Sequence, residues 1–79
     1  MQEKIIPLHL LPIGGTGTVR MLTSKGDIRR RMLDLGLIDN TKVESLRRSP
    51  SGDPIAYQIR GAVIALRSEE ASNILVEIS

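Results

Sequence analysis

Seventy-nine residues, 41% of them hydrophobic, suffice for one folded domain and are too few for two independent cores. A chain of this size buries only about 60% of the surface it exposes when unfolded, so its stability margin is modest. With no cysteine it has neither disulfides nor thiolate ligands, which mildly favours a reducing compartment. The net charge is +2 and the isoelectric point near 9.5, but Tyr57 is the only aromatic residue. Single-strand nucleic-acid binders stack bases on several rings, so nucleic acid is not an expected partner; arginine contacts to a duplex backbone remain open. Segment 5–12 is apolar, but Pro7 and Pro12 break it. It is too short to span a membrane and carries no signal-peptide cleavage pattern. These features predict a soluble, cytoplasmic chain with no membrane insertion, folded as a single domain over residues 1–79.

In chain order, segment 5–12 reads as a short edge strand and then a turn. Proline donates no amide hydrogen, which confines it to strand edges, strand starts and turns. Gly14-Gly15 marks the next break, and the β-branched run 16–22 reads as a strand with Val19 and Met21 on one face. A helix follows. Ser24 is its predicted N-cap, with Asp27 at the third helical position of a capping box. Ile28, Met32 and Leu35 recur at i, i+4 and i+7 as the predicted buried stripe, widened by Leu33. Asp27 and Arg31 have the spacing of a helical ion pair. Gly36 ends the helix after about eleven residues, where a left-handed residue is needed.

Asp39-Asn40 is a turn signal in which Asn40 tolerates positive φ. Segment 41–48 reads as an irregular strand, because Val43 and Leu46 face opposite sides unless a bulge intervenes. Segment 49–54 is a loop. In the clearest strand, Ile55, Tyr57 and Ile59 alternate with Ala56, Gln58 and Arg60. Gly61 separates it from a continuous apolar strand over 62–66. Segment 68–71 is a helical turn with acids where the helix dipole favours them, and Ile74, Val76 and Ile78 share one face of a last strand. The sum is a mainly β chain with one inserted helix. Small sheets protect their edges best by closing on themselves, so a small barrel is expected. Apolar strands at both chain ends leave a homo-oligomer through an exchangeable edge open.

Catalytic chemistry finds little to work with. His9 is the sole histidine, whereas zinc takes three or four protein ligands. The acids are scattered, which suits solvent better than a hard cation. Gly14-Gly15-Thr16-Gly17 lacks the lysine and the following helix of a phosphate loop, and no nucleophile motif appears. We expect no catalytic residue, no metal ligand set and no cofactor: a binding module and not an enzyme. Two basic clusters remain, Arg29-Arg30-Arg31 and Arg47-Arg48. Each reads either as a solvated face whose stems cover apolar edges, or as a docking surface for an acidic partner or a phosphate.

Taken in order, Arg31-Met32-Leu33-Asp34-Leu35-Gly36-Leu37, Ser51-Gly52-Asp53-Pro54-Ile55 and Arg60-Gly61-Ala62-Val63-Ile64-Ala65-Leu66-Arg67 resemble the FeoA family. That family is the small cytosolic partner of the bacterial ferrous iron transporter, and the similarity runs from segment 8–11 to Ile78. The resemblance implies a small SH3-like barrel with a helix inserted after its early strands. It implies an accessory role in ferrous iron uptake, by docking on and modulating the GTP-binding domain of the membrane transporter. The helix and its flanking turn, with Arg30, Arg31 and Leu37, are the expected partner contact. Gly36, Asn40, Gly52, Asp53 and Pro54 are the expected turn-forming residues, although Asp39-Asn40 stands where the family commonly has Pro-Gly. The alternative is a free-standing, metal-responsive regulatory module with weak transition-metal binding, similar to the C-terminal domain of metal-dependent repressors.

Overall fold

Which side chains leave water fixes the phase of each strand, and the strands here are antiparallel throughout. The structure, a computed structural model, describes residues 4–78. In chain order it contains β1 (Ile5–Pro7), a 3-10 turn (Leu8–Leu10), β2 (Thr16–Leu22), α1 (Gly26–Asp34), β3 (Lys42–Arg48), β4 (Ile55–Ile59), β5 (Ala62–Leu66), α2 (Ser68–Ala71) and β6 (Ile74–Ile78). They form one six-stranded sheet in the order β1-β6-β2-β3-β4-β5. The expected mainly β architecture with one longer inserted helix is what forms, and β1 is the edge strand that its proline predicts.

The concave face carries the core. Ile55, Tyr57 and Ile59 of β4 are buried, and so are Ile74 and Val76 of β6. Leu8, Leu11, Met32 and Leu37 close over them from the 3-10 turn, the helix and the turn after it. Two bulges keep strands β2 and β3 in phase with that core. In β2, Val19 pairs with Val76 and Met21 with Leu75, so Arg20 is an extra residue. In β3, Ser45 pairs with Tyr57 and Arg47 with Ala56, so the extra residue is Leu46. A bulge does interrupt the irregular Val43–Leu46 spacing: Val43 and Ser45 are buried, while Leu46, the extra residue, is half-buried and stays outside the core. The corresponding expectation for β2 fails: Val19 is buried and Met21 is 58% exposed, because the bulge returns Leu22 to the core instead.

The helix also departs from expectation. It runs nine residues, and its N-cap is Lys25, which makes no side-chain cap bond. Gly26 has φ +64 and Lys25 is extended, so the chain enters too sharply for Ser24 to cap it. Asp27 still lies in the first turn, where the dipole favours an acid. Met32 is fully buried and Leu35 packs against the core, whereas Ile28 is 53% exposed. Arg31 pairs with Glu70 of α2, across the structure, in place of the expected Asp27.

Turn geometry follows from the residues that occupy the turns. Gly36 has φ +97 at the helix end and Asn40 φ +72. Arg60 (φ +51) and Gly61 (φ +82) form the two-residue turn between β4 and β5. In loop 49–54, Ser49 and Ser51 hydroxyls donate to the Asp53 carbonyl at 2.6 and 2.9 Å, and Gly52 has φ +94. Asp53 Oδ1 accepts from the Ser68 amide at 2.8 Å and from its hydroxyl at 3.0 Å. Thus the loop carboxylate satisfies the N-terminus of α2. The Asp53-Pro54 bond is cis.

The Tyr57 hydroxyl is buried and finds no hydrogen-bond partner among the described residues. Burial pushes its phenol from 10 up to about 12; Arg48 opposes the shift and Asp53 adds to it. An unfolded chain therefore loses this proton first, and stability falls as pH rises from about 10 towards about 12, by up to about 1.4 kcal/mol per pH unit. Tyr57→Phe should flatten that slope in urea titrations. At pH 7 it should unfold no more easily than the parent, since an unpaired buried hydroxyl costs about 1–3 kcal/mol. A clear loss of stability at pH 7 would show that the hydroxyl is satisfied.

Candidate docking surface

The bulge at Arg20 shapes an apolar cleft beside the helix. Two consecutive residues of β2, Arg20 and Met21, point outward, while Val19 and Leu22 stay buried. Helix α1 is held to this strand by Arg29, whose guanidinium donates to the Leu22 carbonyl at 3.1 Å. Burying Met32 and Leu37 consumes the inner face of the helix and the following turn, which leaves Leu33 39% and Ile38 41% exposed. Met21, Leu33 and Ile38 thus line a cleft of ≈ 210 Å³, with Arg20, Arg29 and Asp39 among its other walls.

The rim is ordered. Arg20 Nε donates to Glu77 Oε1 at 2.7 Å, another of its nitrogens bonds Asn40 Oδ1, and Asp39 lies 4.0 Å away. The positive φ of Asn40 lets its amide donate to the Val19 carbonyl at 2.8 Å. At Gly36 a Cβ would meet the Arg60 side chain at 3.1 Å, so both φ and space restrict that position. An apolar centre with a charged, fixed rim is the anatomy of a protein–protein contact. The cleft falls below the roughly 300–1,000 Å³ of small-molecule sites.

Of the three residues expected to meet a partner, Leu37 is fully buried. It belongs to the core, because the Gly36 turn drives the chain back under the helix, and from there it backs the wall of the α1–β2 cleft that Leu33 and Ile38 line. Arg30 is exposed. Arg31 lines a different cleft, with Ile28, Arg67 and Asn73, next to its ion pair with Glu70. Arg47 and Arg48 line a third, with Pro50, Pro54, Ala56 and Ala65. Sequence reasoning missed Met21, Leu33 and Ile38 as a surface. Its signal was available in the odd spacing of Val19 and Leu22, which demands a bulge if both are buried. His9 is half-buried, and its Nδ1 has no hydrogen-bond partner among the described residues. Among the described residues no group of three or more His, Cys, Asp or Glu could hold a metal ion, and no helix is long and apolar enough to cross a membrane.

Core and surface roles separate by substitution. Leu37→Ala should cost about 2–5 kcal/mol in urea unfolding, as for other buried leucines. Leu33→Ser should stay within about 0.5–1 kcal/mol of the parent. Equal costs would contradict this division.

Residues 6–78 match the FeoA domain family. A Fe(2+) transport protein A/Fe(2+) transporter FeoB fusion protein of Porphyromonas gingivalis is 28% identical over 71 residues, covering 90% of this chain and 8% of that protein. The chain thus spans under a tenth of the length of that curated relative. Among solved structures, FeoA from Chlorobium tepidum is 36% identical with a TM-score of 0.86, over 92% of this chain and 70% of that one. The zinc complex of Stenotrophomonas maltophilia FeoA, described as a prokaryotic SH3 domain protein, is 25% identical with a TM-score of 0.79, over 96% and 89%. A manganese-dependent transcriptional repressor complexed with manganese is 26% identical with a TM-score of 0.84, over 95% of this chain and 37% of its own. The sheet is an SH3-like barrel, and this chain belongs to the FeoA domain family.

Proposed function

We propose that this chain is a cytoplasmic accessory protein of ferrous iron uptake, without catalysis of its own. It docks on the GTP-binding domain of the ferrous iron transporter and modulates it. The observation that carries this reading is the fusion relative, in which a segment like this chain and a FeoB transporter share one polypeptide. Tethering keeps two modules at an effective concentration in the millimolar range, which is useful to parts that work in contact. The α1–β2 cleft is the surface best suited to that contact, since Met21, Leu33 and Ile38 offer apolar area that the barrel itself does not cover. Arg30 is exposed on the same helix and adds positive charge to that side of the chain.

The second reading is a metal-responsive regulatory module. Similarity to the manganese-dependent repressor supports it. The described side chains oppose it, because they bring no three candidate ligands together.

Calorimetric titration of the isolated GTP-binding domain, loaded with GDP or with a non-hydrolysable GTP analogue, tests the leading reading. Micromolar binding is expected, and Leu33→Asp or Ile38→Asp should weaken it by about tenfold or more while the protein stays fully folded at the titration temperature. Absence of binding with both nucleotides would overturn it. Tight, stoichiometric ferrous or manganous ion binding in a parallel titration would favour the second reading.

A further inference from the structure

The two edges of the sheet are not protected alike. Edge strand β1 has three residues and ends in Pro7. At the other edge β5 has five, Ala62–Leu66, with no charge, no proline and no bulge in its register with β4. Natural edge strands commonly carry one of these devices, because bare amides and carbonyls template pairing with another chain. In a two-residue hairpin the closing pair, here Ile59 and Ala62, exchanges both backbone bonds. Alternation along the ladder then turns the N–H and C=O groups of Val63 and Ala65 outward, away from β4. The Val63 side chain is 57% exposed beside them.

A cationic cleft adjoins this edge. Its volume is ≈ 310 Å³, and Arg47, Arg48, Pro50, Pro54, Ala56 and Ala65 line it. Ala65 pairs with Ala56 and Ala56 with Arg47, so the three lie in one row across the sheet. Two methyl groups are all that separate Arg47 from the free edge. Neither Arg47 nor Arg48 forms an ion pair among the described residues.

We propose that β5 is a strand-addition site for an extended acidic peptide segment of a partner protein, with one carboxylate seated in the Arg47–Arg48 cleft. The Val63 and Ala65 backbone groups bond the added strand, and the residue opposite Ala65 projects over the alanine row towards the arginines. An aspartate or glutamate at that position completes the site. Charge selects this occupant. A second copy pairing through its own β5 brings no carboxylate, since Ala62–Leu66 contains none, and adds the arginines of one copy to those of the other. A phosphate-bearing surface would satisfy the arginines and leave the strand edge bare. The site is separate from the α1–β2 cleft and does not rest on the function proposed for it.

Amide and arginine NMR shifts of the whole protein test the proposal with a synthetic peptide of about ten residues, alternating threonine and valine around one glutamate. A twin peptide carrying lysine in its place is the control, with inorganic phosphate and phosphatidylserine vesicles as further probes. Saturable shifts at Val63, Ala65, Arg47 and Arg48 are expected, with the lysine peptide about tenfold weaker or worse. Arg47→Glu should invert that preference. Val63→Pro should abolish binding while leaving the β4 ladder intact, because the amide it removes points outward. Silence of the β5 amides up to millimolar peptide, or equal binding of the two peptides, would overturn the proposal. So would phosphate or vesicles reproducing the full pattern, or a peptide-free dimer that Val63→Pro dissociates.

Discussion

The extra residue at Arg20 is the constraint on which the candidate docking face depends. On one side of it, Val19 lies opposite Val76; on the other, Leu22 lies opposite Ile74, and both pairs face the core. An unbulged strand could bury only one of these two β2 residues, since their spacing is odd. Accommodating both forces Arg20 and Met21 to point outward in succession. Arg20 then reaches Glu77 on β6 and Asn40 in the turn before β3, joining three parts of the chain at one guanidinium. Met21 then lines the cleft beside Leu33 and Ile38.

Burial does most of the stabilising, and the polar ties chiefly position. A buried leucine or isoleucine side chain contributes about 1.5–3 kcal/mol, whereas exposed ion pairs contribute about 0–1 kcal/mol. Arg31–Glu70 is half-exposed on the arginine side, so its main effect is to fix α1 against α2. Glu70 also accepts from the Arg67 amide at 3.0 Å, which orders the first turn of α2. Asp53 does the same from outside that helix through Ser68. The 49–54 loop and the α2 turn are therefore one unit, and the loop's serines and Gly52 serve to aim a single carboxylate.

Strands whose inner residues alternate strictly were legible from the sequence. Tyr57 and its neighbours in β4, and Ile74 and Val76 in β6, bury as their spacing demands. The helix end was legible at Gly36, because only a residue tolerant of positive φ can stand there. Less was legible wherever alternation breaks. A bulge shifts phase by one residue, and nothing in Thr16–Leu22 marks Arg20 as the insertion until Leu22 is known to be buried. Ser24 looked like a cap because its spacing to Asp27 is right; the positive φ of Gly26, a tertiary outcome, removes it. Leu37 looked available for contact because it follows the helix, yet the turn folds it inward. The docking face is assembled from β2, α1 and the turn at 37–40, and the Val19–Leu22 spacing marks only its β2 part.

An SH3-like barrel of the FeoA domain family thus leaves two unlike surfaces uncovered, the apolar α1–β2 cleft and the bare edge of β5. The central functional claim is that the first of these meets the transporter's GTP-binding domain. Methyl cross-saturation from that domain to the deuterated protein tests it most directly. Attenuation centred on the methyl groups of Met21, Leu33 and Ile38 is predicted, with Leu37 spared by its burial. Attenuation that leaves these three untouched and falls on Ile28 or Val63 would contradict it.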